Sequence, residues 1–285
     1  MACEISVIIP TYNRSHTVWR AIESVIHQTS GNWELIIIDD GSTDDTASLV
    51  RDYLEDDRIT YHRQANSGVS AARNKGAELS KGNYLLFLDS DDSLRTNLFF
   101  RLKESGYSDY DLISWGVLKL TPTGDTIWKP KKLEKLYNCI TASFLAGSIC
   151  YRKEIFLEAG GYDENMLFGE NYELGIRVSH LKNLKVKILD EVFLDYYMKF
   201  KDRPSSKIKN KLISNKYLYN KHQEKYLEDK FSNSRFNYLM GYLNEKNGNR
   251  LKAKDYYLKA LAIDPIYVKP IVKVFWFRLK FLIGG

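Results

Sequence analysis

A chain of 285 residues, 44% hydrophobic and 27% charged, can bury a sizeable core and is long for one domain, which excludes a disordered protein and favours one large domain with an appendage. The net charge of +6 hides a split: residues 1–198 hold 22 Lys/Arg against 29 Asp/Glu, or −7, and residues 199–285 hold 20 against 7, or +13. That split suits an acidic, metal-binding body and a basic tail facing phosphates or an anionic membrane, with a solvated lysine-rich helical surface as the plainer alternative.

"ISVIIPTYN" (5–13) is a β-branched run stopped by Pro10, and "WELIIIDDGS" (33–42) repeats the form, ending in acids and Gly41. Each reads as a buried strand of a parallel sheet. Between them, Val18, Ile22, Val25 and Ile26 fall at helical spacing over 15–28. A second helix is expected from Ser42 or Thr43, then a strand over 59–64, a helix over 68–82 and a strand over 83–92 that runs into acids. This alternation predicts an α/β domain with a mostly parallel sheet and its ligand at the carboxyl ends of the strands. Thr11, Asp39, Asp40, Asp89, Asp91 and Asp92 lie at those ends.

From about residue 107 the pattern is less regular. "DLISWGVLKL" and "KVKILDEVFLDYYM" read as strands, and "EIFLEAGGYDEN" as a short helix and turn, completing the same domain. "KDRPSSK" (201–207) marks a linker or loop, and nearly continuous helices follow. The expected division is therefore a domain over 1–203 and a basic helical region over 204–285. Cys3, Cys139 and Cys150 have no metal-ligand spacing and read as free thiols in a reducing compartment. The start, MACEISVIIP, has a strand pattern rather than a signal peptide's basic and apolar segments, and no run approaches the ~20 apolar residues of a spanning helix. A cytoplasmic protein, at most attached to a membrane surface, is the expectation.

"FLDSDD" packs three carboxylates into four residues at the end of an apolar strand. Their mutual repulsion is costly unless a cation compensates it, and a hard divalent ion with oxygen ligands would do so; helix capping is the competing use. Together with "SVIIPTYN", "IIIDDGSTDDT", "NSGVSAARNKGAELSKGNYLLFLDSDD" and "AGGYDENMLFGENYELGIR", in this order, the chain resembles family 2 glycosyltransferases of the GT-A fold.

The resemblance implies an α/β, Rossmann-like domain that binds a nucleotide-sugar, followed here by an all-α C-terminal region. Pro10, Thr11 and Tyr12 would border the nucleobase, Asp40 would accept from its ring N–H, and Asp39 would support that turn. Asp89, Asp91 and Asp92 would hold Mn²⁺ or Mg²⁺ on the donor diphosphate and touch the ribose, with Arg73 and Asn74 lining the same pocket. For Tyr12 and Asn74, turn and helix-cap duty is an equal alternative. A carboxylate on the opposite face would take the acceptor's proton, and the anomeric configuration would invert.

Two departures stand out. Where the family presents Glu-Asp, with the aspartate as base, this chain has Glu170-Asn171, and an amide cannot take a proton. Glu170 is then the candidate base; the rivals are a weak or inactive scaffold and an engineered change at 171 that inactivates the chain and traps its substrates, and Glu173 reads as a surface acid. Where relatives often place a histidine after the last strand, this chain has Lys199, suited to neutralising phosphate, or simply a surface lysine. Trp115, Trp128 and Tyr151 would suit either a platform for the acceptor sugar or the core.

In the tail, Gly241, Ala253, Tyr257, Ala260 and Pro265 fall at tetratricopeptide-like offsets over 234–267. The segment 266–285 mixes aromatics with Lys269, Lys273, Arg278 and Lys280, as an interfacial membrane helix would. The expected partners are a UDP-sugar, a glycan or polyprenyl-linked acceptor, and the cytoplasmic face of a membrane. No nucleic-acid module is recognisable, and self-association is compatible with the reading.

Overall fold

The computed structural model describes residues 4–30, 32–198 and 207–273. The first half alternates as its hydrophobic pattern predicts: β1 (Ile5–Thr11), α1 (Val18–Ile26), β2 (Trp33–Asp39), α2 (Thr46–Arg51), β3 (Ile59–Arg63), α3 (Val69–Leu79) and β4 (Tyr84–Phe87). There follow β5 (Ser93–Leu94), α4 (Leu98–Glu104), β6 (Leu112–Leu120), β7 (Thr126–Trp128), β8 (Lys131–Lys132), β9 (Thr141–Ala142), β10 (Ile149–Arg152), α5 (Lys153–Glu158), α6 (Glu170–Ser179) and β11 (Val186–Tyr197). Helices α7 (Ile208–Lys221), α8 (Gln223–Glu228), α9 (Lys230–Lys246) and α10 (Arg250–Ile263) follow, and the last described residues, 268–273, are helical as well.

The main sheet runs β3-β2-β1-β4-β10-β6-β11-β5, with β7 also paired to β6. Strands β1 to β4 are parallel, β10 is antiparallel to both β4 and β6, and β11 is parallel to β6. The carboxyl ends of β1, β2, β4, β6 and β11 therefore share one edge of the sheet. Both faces are covered, which is why these strands read as unbroken apolar runs. Val7, Ile9, Leu35, Ile37 and Leu86 share a buried cluster with Val18, Ile22 and Val25 of α1. On the other face α3 approaches closely enough that a Cβ at Gly76 would lie 2.4 Å from Ile8 Cγ2.

Pro10 does not stop β1; it sits inside the strand opposite Ile38. Strand β4 pairs β1 only as far as Ile8, so at Pro10 one side of β1 carries no ladder to break. The second helix starts at Thr46, later than its composition suggests. Ser42 and Thr43 are instead bonded to Asn13, and Asp44 accepts from the Thr46 amide at 3.1 Å.

The chain divides into two compact units. One holds the sheet and its helices; the other gathers 133–139, 165–169 and the described residues from 207 on. In the second, Asp229 caps α9 through the amides of Phe231 and Ser232 and also accepts from Leu136 N at 3.1 Å. Helices α9 and α10 touch where Gly241 faces Tyr257; a Cβ at Gly241 would lie 2.6 Å from that ring. Cys150 is buried and Cys139 exposed, both as free thiols, and Cys3 lies outside the described residues. Among the described residues no helix is long and apolar enough to cross a membrane.

Candidate functional site

At the carboxyl end of β1, Pro10 and Thr11 are buried and Tyr12 is 43% exposed. Thr11 Oγ1 has no hydrogen-bond partner among the described residues. Beside it, the fully buried Asp39 accepts from Ser42 N at 2.7 Å and from the Tyr61 hydroxyl at 2.5 Å. Burial, then the Asp39 charge, pushes the Tyr61 phenol up, so it remains a donor. Asp40 accepts from Gln64 Nε2, Ser67 N and Gly68 N, each at 2.8 Å. A carboxylate offers about four acceptor positions, so one remains, on Oδ2. Gly41, at φ 84°, makes the turn; a Cβ there would meet Asn66 N at 3.2 Å.

At the end of β4 the amide of Asp92 closes a turn onto Asp89 O at 3.0 Å. This turn gathers Asp89, Asp91 and Asp92 so that one ligating oxygen from each lies within 4.8 Å of the others. Three carboxylates at that spacing, two of them buried, fit a hard divalent cation. Asp92 Oδ1 also accepts from Tyr197 N at 2.9 Å, tying the end of β11 to the cluster. Arg20 reaches in from α1, donating to Asp91 O at 2.5 Å with its guanidinium 3.7 Å from the Tyr197 ring centroid. Nothing in the local sequence singles out Arg20; only the crossing of α1 over the end of the sheet places it there.

Arg73, 1% exposed, is the hinge of the site. Its Nη2 donates to Asp89 Oδ1 at 2.6 Å and its Nη1 to Glu170 Oε1 at 2.8 Å, over the ring of Tyr162. Burial opposes the charge on Arg73, but Asp89, Tyr162 and Glu170 outweigh it and raise its pKa. Glu170 Oε1 also accepts from Asn171 Nδ2 at 3.2 Å, while Asn171 Oδ1 accepts from the Tyr162 hydroxyl at 2.9 Å. The carboxylate can only accept, so the amide must turn its nitrogen toward Glu170. Burial raises the Tyr162 phenol, which keeps it a donor to the other end. One hydrogen-bonded line thus runs from Tyr162 through Asn171, Glu170 and Arg73 to Asp89. Glu170 Oε2 has no hydrogen-bond partner among the described residues.

Not every residue singled out in the sequence joins this line. Asn74 clamps the loop before α6 instead, donating to Tyr162 O and Glu164 Oε1 and accepting from Tyr162 N. Glu173 is not a surface acid: it is fully buried and paired with Arg177 at 2.5 Å one turn on. Trp115 and Tyr151 are core residues, whereas Trp128 is 39% exposed. Lys199 lies outside the described residues.

The family model for glycosyl transferase family 2 matches residues 6–200, which hold all of these groups. The chain belongs to glycosyl transferase family 2. Among its relatives, the glycosyltransferase EpsJ of Bacillus subtilis is 30% identical over 203 residues, covering 66% of this chain and 59% of EpsJ. TuaG of the same organism, named for teichuronic acid biosynthesis, is 38% identical over 120 residues, covering 39% of this chain and 48% of TuaG. The match therefore spans only about half the length of each of these two relatives. Residues 1–349 of S. aureus TarS, crystallised with UDP-GlcNAc, match with a TM-score of 0.68 at 15% identity, over 99% of this chain and 92% of that one. The family 2 chain thus has the expected fold, a GT-A α/β domain with an all-helical C-terminal region.

Proposed function

We propose that this family 2 chain transfers a sugar from a uridine diphosphate donor to a hydroxyl of a glycan or polyprenyl-linked oligosaccharide, with inversion, in the synthesis of a cell-surface polysaccharide. The observation that carries this reading is the line from Asp89 through Arg73 to Glu170 and Asn171: a buried guanidinium stands between a cluster able to hold a cation and a carboxylate able to hold a proton. Pro10, Thr11 and Tyr12 border the nucleobase, with the remaining acceptor position on Asp40 facing its ring N–H. Asp89, Asp91 and Asp92 would hold Mn²⁺ or Mg²⁺, which supplies Lewis-acid stabilisation of the leaving diphosphate when bound. The crystallised UDP-GlcNAc complex of TarS supports uridine as the base, and the name of TuaG supports a polysaccharide product.

The acceptor oxygen bonds to the anomeric carbon as the bond from that carbon to phosphate oxygen breaks, its electron pair leaving with the diphosphate. The acceptor's proton passes to Glu170 Oε2, because Oε1 is already held by Arg73 and Asn171. Arg73 faces two carboxylates and neutralises only one charge, so it orients Glu170 without removing its negative character. Asn171 takes no proton; it positions the base. The α9–α10 pair serves as one tetratricopeptide-like unit in a helical region, 204–285, appended to a catalytic domain over 1–203.

The test is a screen of UDP-sugars for Mn²⁺-dependent hydrolysis and transfer, beside Asp91→Ala. Turnover with at least one donor is expected, and Asp91→Ala should abolish Mn²⁺-dependent donor binding. Tight nucleotide binding without turnover on any donor or acceptor would favour the inactive scaffold.

A further inference from the structure

The hairpin formed by β6 and β7, with β8 after it, carries four lysines, Lys119, Lys129, Lys131 and Lys132, against one acid. Lys119 Nζ lies 3.4 Å from the Trp128 ring centroid, and Trp128 still keeps 39% of its surface open to solvent. Lys129, Lys131 and Lys132 follow directly and are all exposed. Strand β8 holds the last two in register with Ala142 and Thr141 of β9, so they are displayed on paired backbone. Among the described residues none of these four lysines has an ion-pair partner. The one acid on the hairpin, Asp125, accepts from Thr121 N at 3.3 Å. Four cations held together without counter-charge raise the free energy of the surface unless an anion binds there.

The location is as specific as the charge. Lys119 and Leu120 pair with Tyr196 and Tyr197 of β11, and Met198 N donates to Leu120 O at 2.9 Å. The amide of the same Tyr197 donates to Asp92 Oδ1. The hairpin's first strand therefore lies beside the one that touches the acid cluster, and Trp128 on β7 lies one strand further out, about 10 Å from β11.

We propose that this hairpin binds an acidic glycan, with sugar residues bearing carboxylate or phosphate groups, as the acceptor chain. The inference rests on the transferase reading above for its catalytic meaning, though not for the binding itself. An aromatic ring offers a face on which a sugar ring packs, and ammonium groups beside it neutralise acid substituents. Exposed lysines act as point charges rather than planar forks, so they select for negative charge more than for its chemical form. A lipid headgroup layer is the lesser candidate, since Ile127 is the only exposed aliphatic residue on β7.

The experiment titrates the full chain with an oligogalacturonate, with its methyl-esterified neutral counterpart, and with phosphatidylglycerol vesicles, at low and physiological ionic strength. The charged oligomer should bind more tightly than the neutral one, and added salt should erode the difference. Lys129→Ser, Lys131→Ser and Lys132→Ser combined should weaken the charged oligomer roughly tenfold, at the scale of a few exposed ion pairs, and leave the neutral one nearly unchanged. Trp128→Ala should weaken both oligomers. Equal affinity for the two oligomers, or a triple variant that binds the charged one like the parent, overturns the proposal. So does a triple variant that loses vesicles but keeps the oligogalacturonate. UDP-sugar hydrolysis by the parent, measured in parallel, separates the two readings: its absence beside charge-selective binding would remove the transferase and leave the hairpin site standing.

Discussion

An aspartate at 171 would repeat the family pattern, yet the contacts around Asn171 argue that it would harm this chain. Asn171 Nδ2 donates to Glu170 Oε1 at 3.2 Å, a contact two carboxylates cannot make. In Asn171→Asp that donor becomes a like charge, and like charges this close disfavour the ionised pair. Transfer by Asn171→Asp should fall at neutral pH, because Glu170 Oε1 loses the donor that orients it. A rise in kcat/KM at neutral pH would instead give the base to position 171. Glu170→Gln should lower kcat by about 10²–10⁴-fold with the donor still bound, the range for loss of a general base. Equal kcat in that variant would remove Glu170 from the chemistry.

At the scale of elements, one aspartate does the work of two contacts. Asp229 caps α9 and holds the amide of Leu136. Burial works against its charge, but hydrogen bonds from Ser232, Leu136 and Phe231 prevail and lower its pKa. A lowered carboxylate pKa contributes stability that is complete above the unfolded value, near 3.9, and fades as pH falls through the folded one. Asp229→Ala should therefore cost about 1–2 kcal/mol at pH 7, the size of a lost cap, and the gap from the parent should close below about pH 4. Urea unfolding across pH checks both; a gap unchanged in acid would show that packing, not charge, sets the cost.

Strands β1, β2 and β4 and helices α1 and α3 were legible because continuous apolar runs and a 3.6-residue period survive without knowledge of neighbours. Strands β5, β7, β8 and β9 were not: two or three residues long, they exist only because a partner strand lies beside them. The acid cluster was legible since its three members lie within four positions. The duties of Asn74 and Glu173 were not, because Tyr162 and Arg177 decide them through the fold. Trp115, Trp128 and Tyr151 carry one chemistry in the sequence, and burial alone separates the first and last from Trp128.

For the molecule as a whole, the charge split poses a question of location. Residues 199–285 carry +13, enough to favour an anionic surface, with the attraction decaying over a Debye length of about 8 Å at physiological salt. Charge alone gives reversible contact; an interfacial anchor also needs apolar side chains with nothing over them. Ile266 is 86% exposed, Val268 64% and Val272 60%, and residues 268–273 are helical, which puts Val268 and Val272 one turn apart on one face. The aromatic residues expected to complete the anchor, from Phe275 on, lie outside the described residues. The chain should sediment with phosphatidylglycerol vesicles and be released by salt. Replacing Ile266, Val268 and Val272 with Asn removes three side chains, each giving about 1 kcal/mol or more when buried. The partition coefficient should then fall by roughly two orders of magnitude, since each 1.4 kcal/mol is tenfold. Because none of the three is buried, stability in solution should hold. Unchanged sedimentation of the triple variant would mean that the lysines alone carry the contact, and that this face is not an anchor.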